Sequence, residues 1–208
     1  MFKIIDNAID EKLFTAMTTS LNIDNACSKI PFYFIPTTAR KDVNSYNPLN
    51  FSWYHVLFED NIVWSNSYHA CYEAFINCLQ KNGQVLDKLI RMRVGFITAL
   101  PETFVHDAHV DYVYPHNTAL IYLHETDGDT ILYENFHDPF LHHANPSMST
   151  LEYYNAFIKD NLKVASSISP KSNRAVLFDG LYYHSSSTPH KYTHRVVINI
   201  NYTLKEMK

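Results

Sequence analysis

The chain has 208 residues, 46% of them apolar and 14% aromatic, and a formal net charge of −4. This composition argues against a disordered chain and suits one domain large enough to bury most of what its unfolded state exposes. With no run of Lys or Arg, the mild acidity also excludes the broad basic footprint of a duplex nucleic-acid binder.

Three cysteines, Cys27, Cys71 and Cys78, form no CxxC and cannot all pair among themselves, which predicts a reducing, cytoplasmic setting. The N-terminal MFKIIDNAIDEKLF lacks the basic-then-apolar block of a signal peptide, and no stretch approaches 18 apolar residues. No membrane partner is expected. Only 4 glycines leave the turns to Asn, Asp, Ser and Pro.

In chain order, Ile9, Leu13, Met17 and Leu21 recur every four residues and predict a short helix, with Asn7 or Asp10 as N-cap. Residues 24–60 read as irregular, broken at Pro31, Pro36 and Pro48. A longer helix is predicted over 61–82, with Val63, Ser67, Cys71, Phe75 and Leu79 on one stripe and Gly83 as C-cap. From residue 89 the period changes to two. Strands are predicted at Ile90–Phe96, Ala119–Leu123, Thr130–Tyr133, Leu162–Ile168, Ala175–Phe178 and Arg195–Tyr202, with Ser149–Ile158 as a helix or lid-like insertion. The expected fold is mainly β with supporting helices: an antiparallel sandwich or jelly roll, with a double-stranded β-helix core over 89–203. Residues 1–88 provide helical support and loops within a single domain.

Twelve histidines make the chemistry-bearing pairs easy to misread. In His109-Val110-Asp111 on an extended stretch, residues i and i+2 share a face, whereas His106-Asp107 and His137-Asp138 diverge. His109 and Asp111 can therefore approach one metal. A third ligand must come from afar, among His116, His124, His137, His142, His143, His184, His190 and His194. His184 follows the apolar run Ala175–Phe178 and the turn Asp179-Gly180, and stands 11 residues before Arg195. Two imidazoles and one carboxylate suit Fe(II) bound on one face with open positions, and Arg195 offers a permanently charged fork for a carboxylate-bearing co-substrate.

His109-Val110-Asp111-Tyr112, Ala119-Leu120-Ile121-Tyr122-Leu123-His124, Asp127-Gly128-Asp129-Thr130 and Pro170–Gly180 are ordered as in the prolyl-hydroxylase-like 2-oxoglutarate oxygenases, which this chain resembles over about residues 90–203. The stretch from His184 to Arg195-Val196-Val197-Ile198-Asn199-Ile200-Asn201-Tyr202 is similar to small oxygenases of tailed bacteriophages. The resemblance implies iron ligands His109, Asp111 and His184, with Arg195 clamping the distal carboxylate of 2-oxoglutarate. It also implies that Tyr122 bonds the same carboxylate and that Asn199 projects beside Arg195. His124 stands where Asn is common, and the Asp127–Thr130 turn has lost one glycine, changes expected to fall on substrate-side loops.

The implied activity is an Fe(II)- and 2-oxoglutarate-dependent dioxygenase that consumes O2, hydroxylates a C–H bond and releases succinate and CO2. A peptidyl residue such as proline is expected as substrate ahead of nucleic acid or a small metabolite. The segments Pro31–Phe58 and Phe136–Ser149 are expected either at the lip of the site or packed around the barrel. A non-catalytic jelly-roll module and a cupin-like metalloenzyme without 2-oxoglutarate are the competing readings.

Overall fold

Period-two alternation and one strong apolar helix stripe decide the architecture. The computed structural model describes residues 2–38, 47–144 and 147–205. Positions 39–46 and 145–146 of the two expected lip segments lie outside the described residues.

The chain opens with β1 (Phe2–Ile5) and α1 (Glu11–Leu21), followed by β2 (Tyr33–Ile35), β3 (Ser52–Glu59) and the two-residue β4 (Ile62–Val63). Helix α2 (Tyr68–Lys81) leads to the long β5 (Leu86–Thr98), then β6 (Asn117–Tyr122) and β7 (Thr130–Phe136). Two short helices, α3 (Pro139–His143) and α4 (Thr150–Phe157), precede β8 (Val164–Ile168), β9 (Arg174–Asp179), β10 (Tyr182–Ser186) and β11 (His194–Leu204). The larger antiparallel sheet runs β1-β9-β6-β11-β5-β3-β2, with β4 on β3; the smaller runs β10-β7-β8. Together they form the jelly roll.

Alternation along β11 sorts its residues between two compartments. Val196, Ile198, Ile200 and Tyr202 join Met92, Val94, Ala119 and Ile121 in a core shared with Met17, Leu21, Cys71, Phe75 and Leu79 of the two helices. Val197 faces the other way, into a cluster with Leu120, Tyr122, Leu132, Val176 and Phe178 between the sheets. The α2 stripe Cys71, Ala74, Phe75, Cys78 and Leu79 follows the i, i+3, i+4, i+7, i+8 pattern, and the Phe75 ring stands edge-on to Tyr202 at 5.0 Å. Gly83 ends the helix at φ +67°.

Two expectations for the first half are corrected. Residues 24–60 are not irregular throughout, because β3 pairs with β5 along most of its length and carries β2 at the sheet edge. The second helix does not start at 61. Asp60 and Asn61 both adopt positive φ, 53° and 61°, forming the tight turn that a β3–β4 hairpin requires. Val63 therefore stands exposed on a strand instead of in the helix stripe. At α1, Asp10 is the N-cap but makes no capping bond; its carboxylate pairs with Lys81 and Asn77.

Candidate functional site

His109 and Asp111 do not lie on a regular strand. Between β5 and β6 the chain runs beside β10 and the residue that follows it, with single bridges Val105 to Ser187 and His109 to His184. At the second bridge the backbones exchange N–H···O bonds of 2.9 Å in both directions, which sets the two imidazoles side by side with ring centroids 4.5 Å apart. His184 itself sits on β10, between Tyr183 in the outer tyrosine cluster and the buried Ser185.

Asp111 completes the group. Its Oδ1 lies 4.0 Å from His109 Nε2 and its Oδ2 lies 3.9 Å from His184 Nε2; the three ligand atoms all fall within 4.8 Å of one another. Each imidazole places Nδ1 against a backbone carbonyl, His109 on Asp107 at 3.1 Å and His184 on Tyr182 at 3.4 Å. A proton on Nδ1 leaves both Nε2 lone pairs facing inward, the tautomer a metal ligand needs. His184 Nε2 is buried with no hydrogen-bond partner. That orphaned acceptor, the paired imidazoles and the carboxylate fit a divalent first-row ion such as Fe(II).

The electrostatics keep His184 and Asp111 deprotonated. Burial pushes His184 down to about 4, with neighbouring His109 adding to the effect and Asp111 opposing it. For Asp111, burial alone would raise the carboxyl, yet Arg91, His184, His109 and Asn201 outweigh it and hold the group well below the usual range. Arg91 Nη2 donates to Oδ1 at 2.8 Å, while Asn201 at 2.8 Å and Asn199 at 3.2 Å both donate to Oδ2. The Arg91 guanidinium also covers the Tyr112 ring at 5.1 Å. Neither Arg91 nor Asn201 was expected as a site residue. A usable signal was present, since Arg91 and Arg93, two residues apart on β5, share one strand face.

Arg195 occupies the same cavity, a space of about 290 Å³ lined also by Tyr54, Gly95, Thr130, Val197 and Asn199. It is only 3% exposed and has no acidic partner within ion-pair distance among the described residues. Its Nη2 donates to Thr130 Oγ1 at 2.7 Å, and its Nε has no partner. A buried guanidinium without a counter-ion is costly, and an entering carboxylate would relieve that cost.

Tyr122 was expected to bond the same carboxylate as Arg195; its ring lies under the Arg195 guanidinium at 5.7 Å, and its hydroxyl donates to Thr130 at 2.6 Å. Thr130 thus receives two hydrogen bonds on one oxygen, which leaves its own proton free to point into the cavity. Asn199 shares the β11 face of Arg195, but its amide is turned to Asp111.

The unusual turn and the residue before it hold the segment that leads into β11 and Arg195. Asp127 accepts backbone N–H bonds from His190, Lys191 and Tyr192 ahead of β11, and His124 Nε2 accepts from Val196 N at 3.1 Å. A Cβ on Gly128 would lie 2.8 Å from Ser187 O and 2.9 Å from Arg195 Cδ. Gly128→Ala is therefore expected to displace Arg195, lowering dicarboxylate affinity about tenfold and stability by roughly 1–3 kcal/mol. Calorimetric titration and urea unfolding read the two effects separately.

His106, beside the triad in sequence, is not a ligand. It is buried, with Nε2 facing Phe51 O at 3.2 Å and Nδ1 facing the Ser186 hydroxyl at 3.0 Å, and burial pushes it down to about 4. An imidazole kept neutral in the fold contributes stability fully above its unfolded value near 6.5. That contribution disappears as pH falls through the window down to about 4. Unfolding free energy is expected to drop by up to roughly 3 kcal/mol across this window through His106 alone. Urea titrations at pH 7 and pH 4.5 check it, and His106→Gln should remove that part of the slope.

By sequence, no family model and no curated protein matches the chain. Solved structures do match its fold. A prolyl hydroxylase from Trichoplax adhaerens, solved with a hypoxia inducible factor peptide fragment, is 14% identical with a TM-score of 0.56, over 97% of this chain and 82% of that one. A 2OG-Fe(II) oxygenase family oxidoreductase from Burkholderia pseudomallei is 10% identical with a TM-score of 0.60, over 97% and 84%. The alpha-ketoglutarate-dependent epimerase SnoN of nogalamycin biosynthesis is 10% identical with a TM-score of 0.62, over 97% and 78%.

Proposed function

We propose that this protein is an Fe(II)- and 2-oxoglutarate-dependent dioxygenase that hydroxylates a C–H bond of a peptidyl residue. One observation carries the reading. A single cavity holds three convergent donors, one an orphaned imidazole nitrogen, together with a buried guanidinium that lacks a counter-ion among the described residues. A binding module without chemistry needs neither, and a cupin-like site without 2-oxoglutarate has no use for the unpaired Arg195.

In this reading His109, Asp111 and His184 hold the ion on one face and leave its other positions open. Fe(II), 2-oxoglutarate and O2 supply the oxidising chemistry, so that 2-oxoglutarate, O2 and R–H become succinate, CO2 and R–OH. Arg195 and the Thr130 hydroxyl take the distal carboxylate. Arg91, Asn199 and Asn201 fix the orientation of Asp111, and the apolar cluster around Val197 keeps the co-substrate's surroundings dry.

A peptidyl substrate such as a proline residue is favoured because one matching structure was solved with a peptide fragment. The three cysteines are free and buried, in keeping with a reducing cytoplasm. A bacteriophage origin, to which the C-terminal motif points, would place the protein in the host cytoplasm. No helix among the described residues is long and apolar enough to cross a membrane.

The test is succinate release from 2-oxoglutarate under anaerobic and aerobic conditions, with and without Fe(II), against a proline-containing peptide library. Succinate that requires both Fe(II) and O2, with a peptide gaining one oxygen, is the expected result. No binding and no turnover of 2-oxoglutarate with any pool would sink the reading.

A further inference from the structure

Gly95 sits in the middle of β5, paired with Tyr54 of β3 on one side and Val197 of β11 on the other. Its backbone does not call for glycine, since its φ lies outside the left-handed region. Its packing does not call for glycine either. A Cβ there would meet only Val197 within 4 Å, Cγ1 at 3.6 Å and O at 3.8 Å, both ordinary contacts. Glycine inside a strand weakens it, because it packs nothing and loses more freedom on folding. The fold therefore gains nothing from this residue.

The cavity does. Arg93, Gly95 and Ile97 share one face of β5 and all line it. On the adjacent strand, Val197 stands midway between Arg195 and Asn199, and Asn199 touches the metal-side carboxylate Asp111. Arg195 and Asn199 are four residues apart on β11, about 13 Å of strand. A dicarboxylate that reaches from the metal ligands to Arg195 lies over Val197 and passes beside Gly95.

We propose that Gly95 is a specificity-determining residue. Its missing side chain leaves a slot that admits a 2-oxo dicarboxylic acid carrying a small branch on its carbon chain. The proposal rests on the function assigned above, since it needs a 2-oxo diacid in this cavity. Val197 forms the opposite wall of the slot, and a methyl at position 95 closes it.

The experiment is calorimetric titration of Mn(II)-loaded protein with 2-oxoglutarate, 3-methyl-2-oxoglutarate and 4-methyl-2-oxoglutarate, read as the ratio of Kd values. In the unmodified protein, the tighter methylated acid is expected to bind within about threefold of 2-oxoglutarate. In Gly95→Ala the ratio is expected to rise at least tenfold against the branched acid. Val197→Ala widens the slot from the other wall and is expected to lower the ratio; it keeps the test decisive should Gly95→Ala fail to fold. An unchanged ratio in the variants, or rejection of both methylated acids by the unmodified protein, overturns the slot while the assigned function stands. Failure of 2-oxoglutarate itself to bind removes that function and the slot with it.

Discussion

Asp111→Asn is expected to abolish divalent-metal binding and to destabilise the metal-free protein by about 3–5 kcal/mol. The first effect follows from loss of the only carboxylate in the triad. The second follows from Arg91, whose guanidinium is nearly buried and forms its ion pair with Asp111 alone among the described residues. An amide of the same shape keeps the Asn199 and Asn201 contacts but leaves that charge uncompensated.

His184→Gln separates the two effects. Its Nε2 has no partner in the metal-free protein, so metal binding is expected to be lost with a smaller change in stability. The double replacement Arg91→Met with Asp111→Asn should recover most of the lost stability and none of the metal binding. Mn(II) titration and urea unfolding of the four proteins test this. Equal destabilisation by Asp111→Asn and His184→Gln would refute the account of the ion pair.

Arg195→Met is expected to lower 2-oxoglutarate affinity by about a hundredfold or more while leaving metal binding intact. Metal-free stability should stay constant or rise. Burial pushes the Arg195 guanidinium down from its ordinary range, and its direct hydrogen bond is to the neutral Thr130. Removing the charge thus removes a desolvation cost, and Met retains the packing of the stem. A rise in stability on removing Arg195 would be the trade expected of a site that must remain charged before its ligand arrives. Retention of 2-oxoglutarate binding in this variant would eliminate Arg195 as the anchor.

Legibility in the sequence followed the range of the forces involved. Most strands from residue 90 onward were readable because alternation is a property of adjacent residues, and the α2 stripe was readable for the same reason; β10, which carries His184, was not among the predicted strands. Strand β3 was not, since aromatic residues on both of its faces hide the period-two pattern. Asp60-Asn61 was a readable turn signal that the apolar stripe running through Val63 concealed. The His109/Asp111 pairing was legible from parity, although the segment holds it by one bridge to His184 and not by a regular strand.

The sequence by itself determined the chemical inventory: two imidazoles and a carboxylate with an arginine beyond them, and the alternation that points side chains to one face or the other. Those follow from residue type and near-neighbour geometry. Only the tertiary structure decided which partners these groups have. Arg91 reaches Asp111, Asn201 supports it and Gly95 opens beside Val197 through the register of β3, β5, β6 and β11, while Thr130 comes to Arg195 from β7 of the smaller sheet. A one-residue slip in any of those ladders would turn the same side chains to the opposite face, so register, a long-range property of the whole sheet, converts the inventory into a site.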